Sequence, residues 1–297
     1  TRFGRDKWDK GKNWMIPKKK YVDVRGTRLH YVDWEGNGPP VLLFHGDQRT
    51  SRSWDAVARR LHSQFRIIAL DARGHGESEW TPGGYKTQDR VLDLIAFMDA
   101  INLSDTMVAA HSTGAGVVAH VALHEPRLIS RMFLIETLLV LDQRFQEQAS
   151  RRETEVRRFW PSQEEFLEYL KWHRATKIWD AEVIEDIAAH EVRVVDDGQV
   201  ESLWAPQTFN FDERKNDFYD LHELLPECDR PICFLVSGGR DEKSIDELRK
   251  MSLQMQSASI ILFEGVGHNI YMEQPKLVSE LIVGFLNDED LPQRLSI

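Results

Sequence analysis

Thr106-Met107-Val108-Ala109-Ala110-His111-Ser112-Thr113-Gly114 is an apolar run that ends at a hydroxyl held between two small residues, Ala110 and Gly114. The strand-compatible run Thr106–Ala110, followed closely by a helical pattern, places Ser112 at a strand-to-helix junction. A nucleophilic serine needs such a junction because the tight turn forces it into a strained backbone conformation, and that conformation tolerates only small neighbours. The same serine could equally cap the helix that follows. The motifs on either side decide between the two readings.

Upstream, Tyr21–Val24 and Arg28–Val32 flank Arg25-Gly26-Thr27, a hairpin pattern with glycine in the turn. Pro39-Pro40 precedes the continuous apolar run Val41–Phe44, and Trp54, Val57 and Leu61 then fall at helical spacing. Phe65–Leu70 reads as a strand, and Val91, Leu94, Ile95, Met98 and Ile101 as the apolar stripe of a helix. Downstream, Arg131–Ile135 and Pro231–Val236 read as strands. Ser244-Ile245-Asp246-Glu247 is a capping-box pattern opening a helix. Ser259–Phe263 is the last strand expected, and Pro275 starts a final helix with Leu277, Leu281 and Phe285 inward.

Alternating strands and helices joined by right-handed crossovers imply an α/β architecture, a mainly parallel twisted sheet with helices on both faces. The alternation is interrupted between residues 137 and 226, which are rich in charge and aromatics and show helical patterns but no comparable strand run. The expected organisation is a basic arm over 1–19, a core from 20–136 and 227–297, and a mostly helical cap inserted at 137–226.

Three further motifs sit where the sheet's strands end, the place where open α/β sheets carry their reactive groups. Phe44-His45-Gly46-Asp47 has a glycine that lets the chain bend, so that the Asp47 N–H pairs with the Thr113 N–H as an oxyanion hole. His45 is read as a brace of this loop. Asp71-Ala72-Arg73-Gly74-His75-Gly76-Glu77-Ser78 is read as a tight supporting turn; it has neither the P-loop Lys-Ser/Thr pair nor a G-x-G-x-x-G pattern. Gly265-Val266-Gly267-His268-Asn269 places a histidine after a glycine-rich bend, where it can act as general base.

These four motifs in this order resemble the α/β-hydrolase superfamily, over residues 20–136 and 227–297. The resemblance implies a Ser, acid, His order along the chain, with Ser112 as nucleophile, His268 as base and the acid on the loop after Val236, where Asp241 stands in Ser237-Gly238-Gly239-Arg240-Asp241. Glu136, at the end of Arg131–Ile135, is the alternative acid, since some relatives carry it there. A serine at the elbow separates the chain from haloalkane dehalogenases and epoxide hydrolases, which resemble it but use an aspartate. Hydrolysis of a carboxylic ester or lactone by a Ser-His-Asp triad, with no cofactor and no metal, is the expected reaction. The same fold also hosts cofactor-independent dioxygenases, lyases and low-turnover ligand receptors.

Composition narrows the partners. With 41% hydrophobic and 29% charged residues the chain can bury a core and remain well solvated. Its apolar runs are far shorter than the roughly 20 residues that cross a bilayer, and neither a signal peptide nor a nucleic-acid module is visible, so a cytoplasmic enzyme is expected. Cys228 and Cys233 alone make no disulfide framework. His120 and His124 stand one helical turn apart without a third metal ligand nearby.

The formal net charge is −10, although residues 1–20 hold eight Lys/Arg against two Asp/Glu. The cap holds 20 Asp/Glu against 11 Lys/Arg, so an acidic entrance favours a small neutral substrate, apolar or aromatic. Gly46 and His111 beside the reacting serine, and Trp160, Trp172, Trp179 and Trp204 of the cap, are the candidate substrate-binding residues.

Overall fold

The computed structural model describes residues 16–148, 157–195, 198–210, 214 and 216–297. Most of the basic arm, residues 1–15, lies outside them. The chain opens with β1 (Lys18–Val24) and β2 (Thr27–Asp33), an antiparallel hairpin. Its turn residues Arg25 and Gly26 have φ of 50° and 74°, the paired left-handed conformation that matches the twist of a two-residue hairpin.

Alternation then runs from β3 (Pro40–Phe44) through α1 (Asp55–Leu61), β4 (Arg66–Leu70), α2 (Thr87–Ala100), β5 (Thr106–His111) and α3 (Ser112–His124) to β6 (Ile129–Ile135). Within the insertion come β7 (Val140–Leu141), β8 (Phe159–Trp160), α4 (Gln163–Trp172), α5 (Ala181–His190), β9 (Val192–Val194), β10 (Val200–Ser202) and β11 (Tyr219–Asp220). The core resumes with β12 (Ile232–Ser237), α6 (Glu242–Ser252), β13 (Ala258–Glu264), α7 (Pro275–Leu286) and β14 (Arg294–Ser296).

The main sheet has the order β1-β2-β4-β3-β5-β6-β12-β13-β14, and every pairing from β4 to β14 is parallel. Successive side chains of a strand point to opposite faces. Accordingly Leu42 and Phe44 pack with Val91, Leu94, Phe97 and Val118 on one side, whereas Val41 and Leu43 pack with Trp54, Val57, Tyr271 and Ile282 on the other. Both faces are covered by helices, which is why β3 is a continuous apolar run and not an alternating one. Each large apolar side chain buried this way contributes about 1.5–3 kcal/mol.

Two expectations are corrected and one is extended. The described residues of the insertion hold more helix than strand, as expected, but beside α4 and α5 they also form short strands: a three-stranded sheet, β8-β10-β9, and the ladder β7–β11. Strands of two or three residues leave no period-2 signature to read. The ladder pairs Val140 with Asp220 and Leu141 with Tyr219, so the two ends of the insertion are joined at its base. Secondly, β14 adds a parallel edge strand beyond the last one expected. Thirdly, α6 begins at Glu242 with Asp241 as its N-cap, three residues before the capping pattern at Ser244. Cys228 and Cys233 are buried and unpaired. Among the described residues no helix is long and apolar enough to cross a membrane.

Candidate active site

The sharp turn between β5 and α3 sets Ser112 at φ 54°, a left-handed conformation that costs a non-glycine residue of order 1 kcal/mol or more. Neighbouring contacts explain the small residues around it. A Cβ on Gly46 would stand 2.9 Å from Ser112 Cβ and 3.1 Å from the His111 carbonyl, and a Cβ on Gly114 would stand 2.1 Å from the His45 carbonyl. The loops after β3 and β5 can therefore approach each other only with glycine at these two positions.

His268 comes from the loop after β13. Its Nε2 is 3.1 Å from Ser112 Oγ, and its Nδ1 is 3.2 Å from Glu136 Oε2. The other Glu136 oxygen accepts the Ser237 N–H at 2.6 Å, and Arg240 Nε lies 3.4 Å from it. Glu136 is buried at the end of β6, with φ 49°. Burial by itself would raise its pKa, but the His268 ring, the Arg240 guanidinium and the Ser237 amide hold the carboxyl below its ordinary value.

Asp241 does not stand beside His268, and the expectation that it would is corrected. Its carboxylate is fully exposed and accepts the Ser244 N–H at 3.0 Å and the Ser244 hydroxyl at 2.6 Å. A side chain held by the first turn of α6 is not free to reach the histidine. The carboxylate that does reach it stands at the C-terminal end of β6. Because β6 and β12 pair in register, with Ile135 opposite Leu235, Glu136 meets the Ser237 amide directly.

On the third side of Ser112, the Asp47 N–H donates to Thr113 Oγ1 at 3.1 Å. Thr113 occupies the first turn of α3, where the helix presents unsatisfied N–H groups and the positive end of its dipole. His45 braces this loop: its Nδ1–H donates to the Gly46 carbonyl at 2.7 Å, and its Nε2 accepts the Ala72 N–H at 3.0 Å. Burial pushes His45 down to about 4, so its ring stays neutral.

His111 turns away from the role of substrate contact. Its Nε2–H donates to the His268 carbonyl at 3.0 Å, and its ring packs against Tyr271 and His268 with centroids 5.0 Å and 4.7 Å apart. It supports the histidine loop. The cap tryptophans divide as well. Trp160 packs on Phe166, Trp179 lies under Arg49, and Trp204 packs on Phe209; all three are buried. Trp172 is 80% exposed at the end of α4.

Sequence reasoning missed a second carboxylate at this site. Buried Glu273 accepts the Gly267 N–H at 2.7 Å, and burial raises its pKa. The Gly267 amide immediately precedes His268, so Glu273 holds the backbone of the histidine loop. No local pattern around Glu273 announces this, because the contact is made across the loop. Among the described residues no cluster of three or more His, Cys, Asp or Glu could hold a metal ion.

The family model described as the Alpha/beta hydrolase family matches residues 41–281. The chain belongs to the α/β-hydrolase family. Among curated relatives it is 36% identical over 112 residues to a non-heme haloperoxidase of Rhodococcus erythropolis, covering 37% of this chain and 40% of that protein. It is 28% identical over 120 residues to a haloalkane dehalogenase of Mesorhizobium japonicum, covering 40% and 39%. The alignments thus span about 40% of the length of these relatives. Among solved structures, E-2-(acetamidomethylene)succinate hydrolase superposes with a TM-score of 0.81 at 21% identity, covering 92% of this chain and 100% of that one. At that identity the likeness speaks for the fold of this α/β hydrolase alone.

Proposed function

We propose that this α/β hydrolase is a serine hydrolase that cleaves a carboxylic ester or lactone through an acyl-enzyme, with Ser112 as nucleophile, His268 as base and Glu136 as the orienting acid. The observation that carries the reading is the unbroken line from Ser112 Oγ through His268 Nε2 and Nδ1 to Glu136 Oε2, at 3.1 Å and 3.2 Å. Contacts of this length are within reach for proton transfer in a resting enzyme.

In the proposed cycle Ser112 Oγ attacks the carbonyl carbon while His268 Nε2 takes its proton. The charge that forms on the carbonyl oxygen is received by the amides of Asp47 and Thr113, the Thr113 hydroxyl giving up its bond to the Asp47 N–H. His268, now cationic and paired with Glu136, gives the proton to the leaving alkoxide. Water then enters and loses a proton to His268 as its oxygen bonds the acyl carbon; the bond to Ser112 Oγ breaks, His268 returns the proton to Oγ, and the acid product leaves. The serine at the elbow sets this chemistry apart from displacement by an aspartate, and the acidic composition of the cap supports a small neutral, apolar or aromatic substrate over an anionic one.

The test is a panel of p-nitrophenyl esters and aromatic lactones, neutral and carboxylate-bearing, given to the wild type and to Ser112→Ala, with fluorophosphonate labelling of both. Wild-type turnover and labelling that disappear together in Ser112→Ala, with neutral esters preferred at low salt, are the expected result. Unchanged turnover in Ser112→Ala would remove the acyl-enzyme, and oxygen consumption without labelling would point to the cofactor-independent dioxygenase reaction of the same fold. Faster cleavage of the carboxylate-bearing esters would refute the neutral preference.

A further inference from the structure

Asp47, whose amide is proposed above to receive the oxyanion, carries a carboxylate that is gripped from two directions. Arg90, on core helix α2, donates from Nη1 to Asp47 Oδ1 at 2.9 Å, and Arg214, on the cap, places its Nη1 3.8 Å from Asp47 Oδ2. Both arginine side chains are 6% exposed and that of Asp47 is 14% exposed. Arg90 Nε and Nη2 and Arg214 Nε are buried without a hydrogen-bond partner among the described residues. Both side chains bring a positive charge beside one anion.

Arg214 is itself steadied from the cap. Its Nη1 donates to the Thr208 carbonyl at 3.2 Å, and its Nε lies 3.8 Å from Asp217. Asp217 in turn accepts the Thr87 N–H at 2.9 Å and the Thr87 hydroxyl at 3.1 Å, at the start of α2. Two arginines and two aspartates thus form one neutral cluster spanning cap and core. Burial alone would raise the Asp47 carboxyl, but Arg90 and Arg214 keep it well below the ordinary carboxylate range, so it is charged at any working pH.

We propose that Arg90 and Arg214 are positioning residues that act through Asp47, cancelling a carboxylate that would otherwise oppose the negative charge developing on the substrate carbonyl oxygen. The inference rests on the reading of Ser112 as nucleophile and of the Asp47 amide as an oxyanion donor. Beside a largely buried carboxylate such as Asp47, a fixed charge within one side chain's length of a developing oxyanion changes the barrier by more than it would in bulk water. Seating Arg214 on Asp47 makes the cap part of this compensation.

Charge reversal of the effect separates this role from a purely structural one. Arg90→Gln leaves the carboxylate less compensated, and kcat should fall on the order of 10- to 100-fold with KM little changed. Asp47→Asn leaves the two cations facing the site and should raise kcat severalfold, even though it lowers Tm by breaking the same buried ion pair. The double variant Asp47→Asn/Arg90→Gln should recover most of the kcat lost in Arg90→Gln.

Fluorophosphonate titration of active sites normalises every rate to folded, competent enzyme, and absence of labelling in the wild type would mark failure of the serine reading instead. Should Arg90→Gln not fold, Arg214→Gln with and without Asp47→Asn reads the same sign. A double variant no faster than the arginine single variant, or a kcat that falls with Tm in Asp47→Asn, overturns the proposal.

Discussion

Glu136→Gln and Asp241→Asn remove one negative charge each without changing shape, and the structure assigns them very different consequences. Glu136 Oε2 lies 3.2 Å from His268 Nδ1, and its side chain is 6% exposed. When His268 takes the Ser112 proton it becomes a cation in contact with this carboxylate. At an effective dielectric of about 20, opposite charges about 4 Å apart attract by about 4 kcal/mol, and each 1.36 kcal/mol is tenfold in rate. Losing that attraction therefore costs about 10³-fold in kcat. A glutamine that turns its N–H₂ toward Nδ1 also selects the wrong imidazole tautomer, and in a serine-protease triad the equivalent change costs about 10⁴-fold. Asp241, by contrast, caps α6 in full solvent, and asparagine caps as well as aspartate. Asp241→Asn should leave kcat within about twofold of wild type by the same arithmetic, since an exposed charge is screened. The assay is kcat at saturating p-nitrophenyl ester for both variants, with circular dichroism to verify folding. A severe loss in Asp241→Asn beside a mild one in Glu136→Gln would hand the orienting role to Asp241.

Two other outcomes follow from the same geometry. Gly46→Ala puts a methyl 2.9 Å from Ser112 Cβ and 3.1 Å from the His111 carbonyl; the oxyanion loop must shift, costing about 1–3 kcal/mol in stability and at least about tenfold in kcat, measured by thermal melts and steady-state kinetics. Retention of full activity would show that the loop yields without loss. Acid sensitivity should be dominated by carboxylates such as Asp71, which burial would raise but which the His30 ring at 2.6 Å, His45 and the Ser51 amide bring down to about 2. A folded value depressed below the unfolded 3.8 means that its stabilisation, about 2 kcal/mol, is present above pH 4 and lost as pH falls through about 2. Urea melts of wild type and Asp71→Asn should therefore converge as the pH is lowered from 5 toward 2; a constant gap across that range would exclude this role for Asp71.

Short-range chemistry alone imposes the local elements of this chain. Val41–Phe44 and Thr106–Ala110 read as buried strands, the turn at Ser112 tolerates only small neighbours, and Gly46 marks a bend; that Gly46 and Gly114 are points of close backbone approach emerged only in the fold. Ser112 and His268 were legible because each sits on a local signature at a strand end, and the strand-helix alternation set the parallel sheet that brings those ends together. Which carboxylate meets His268 was not a local matter. Asp241 and Glu136 both follow strands, and only the lateral pairing of β6 with β12 puts Glu136 against the Ser237 amide and His268, while a helix start claims Asp241 for its own first turn. The short strands of the cap escaped notice because two or three residues carry no periodicity; pairing partners far along the chain define them. The same holds for Glu273 under the histidine loop and for Arg90 and Arg214 around Asp47. Arg90 and Asp47 are 43 residues apart in the chain, and a charge acquires its meaning from what stands a few ångströms away, which only the folded chain decides.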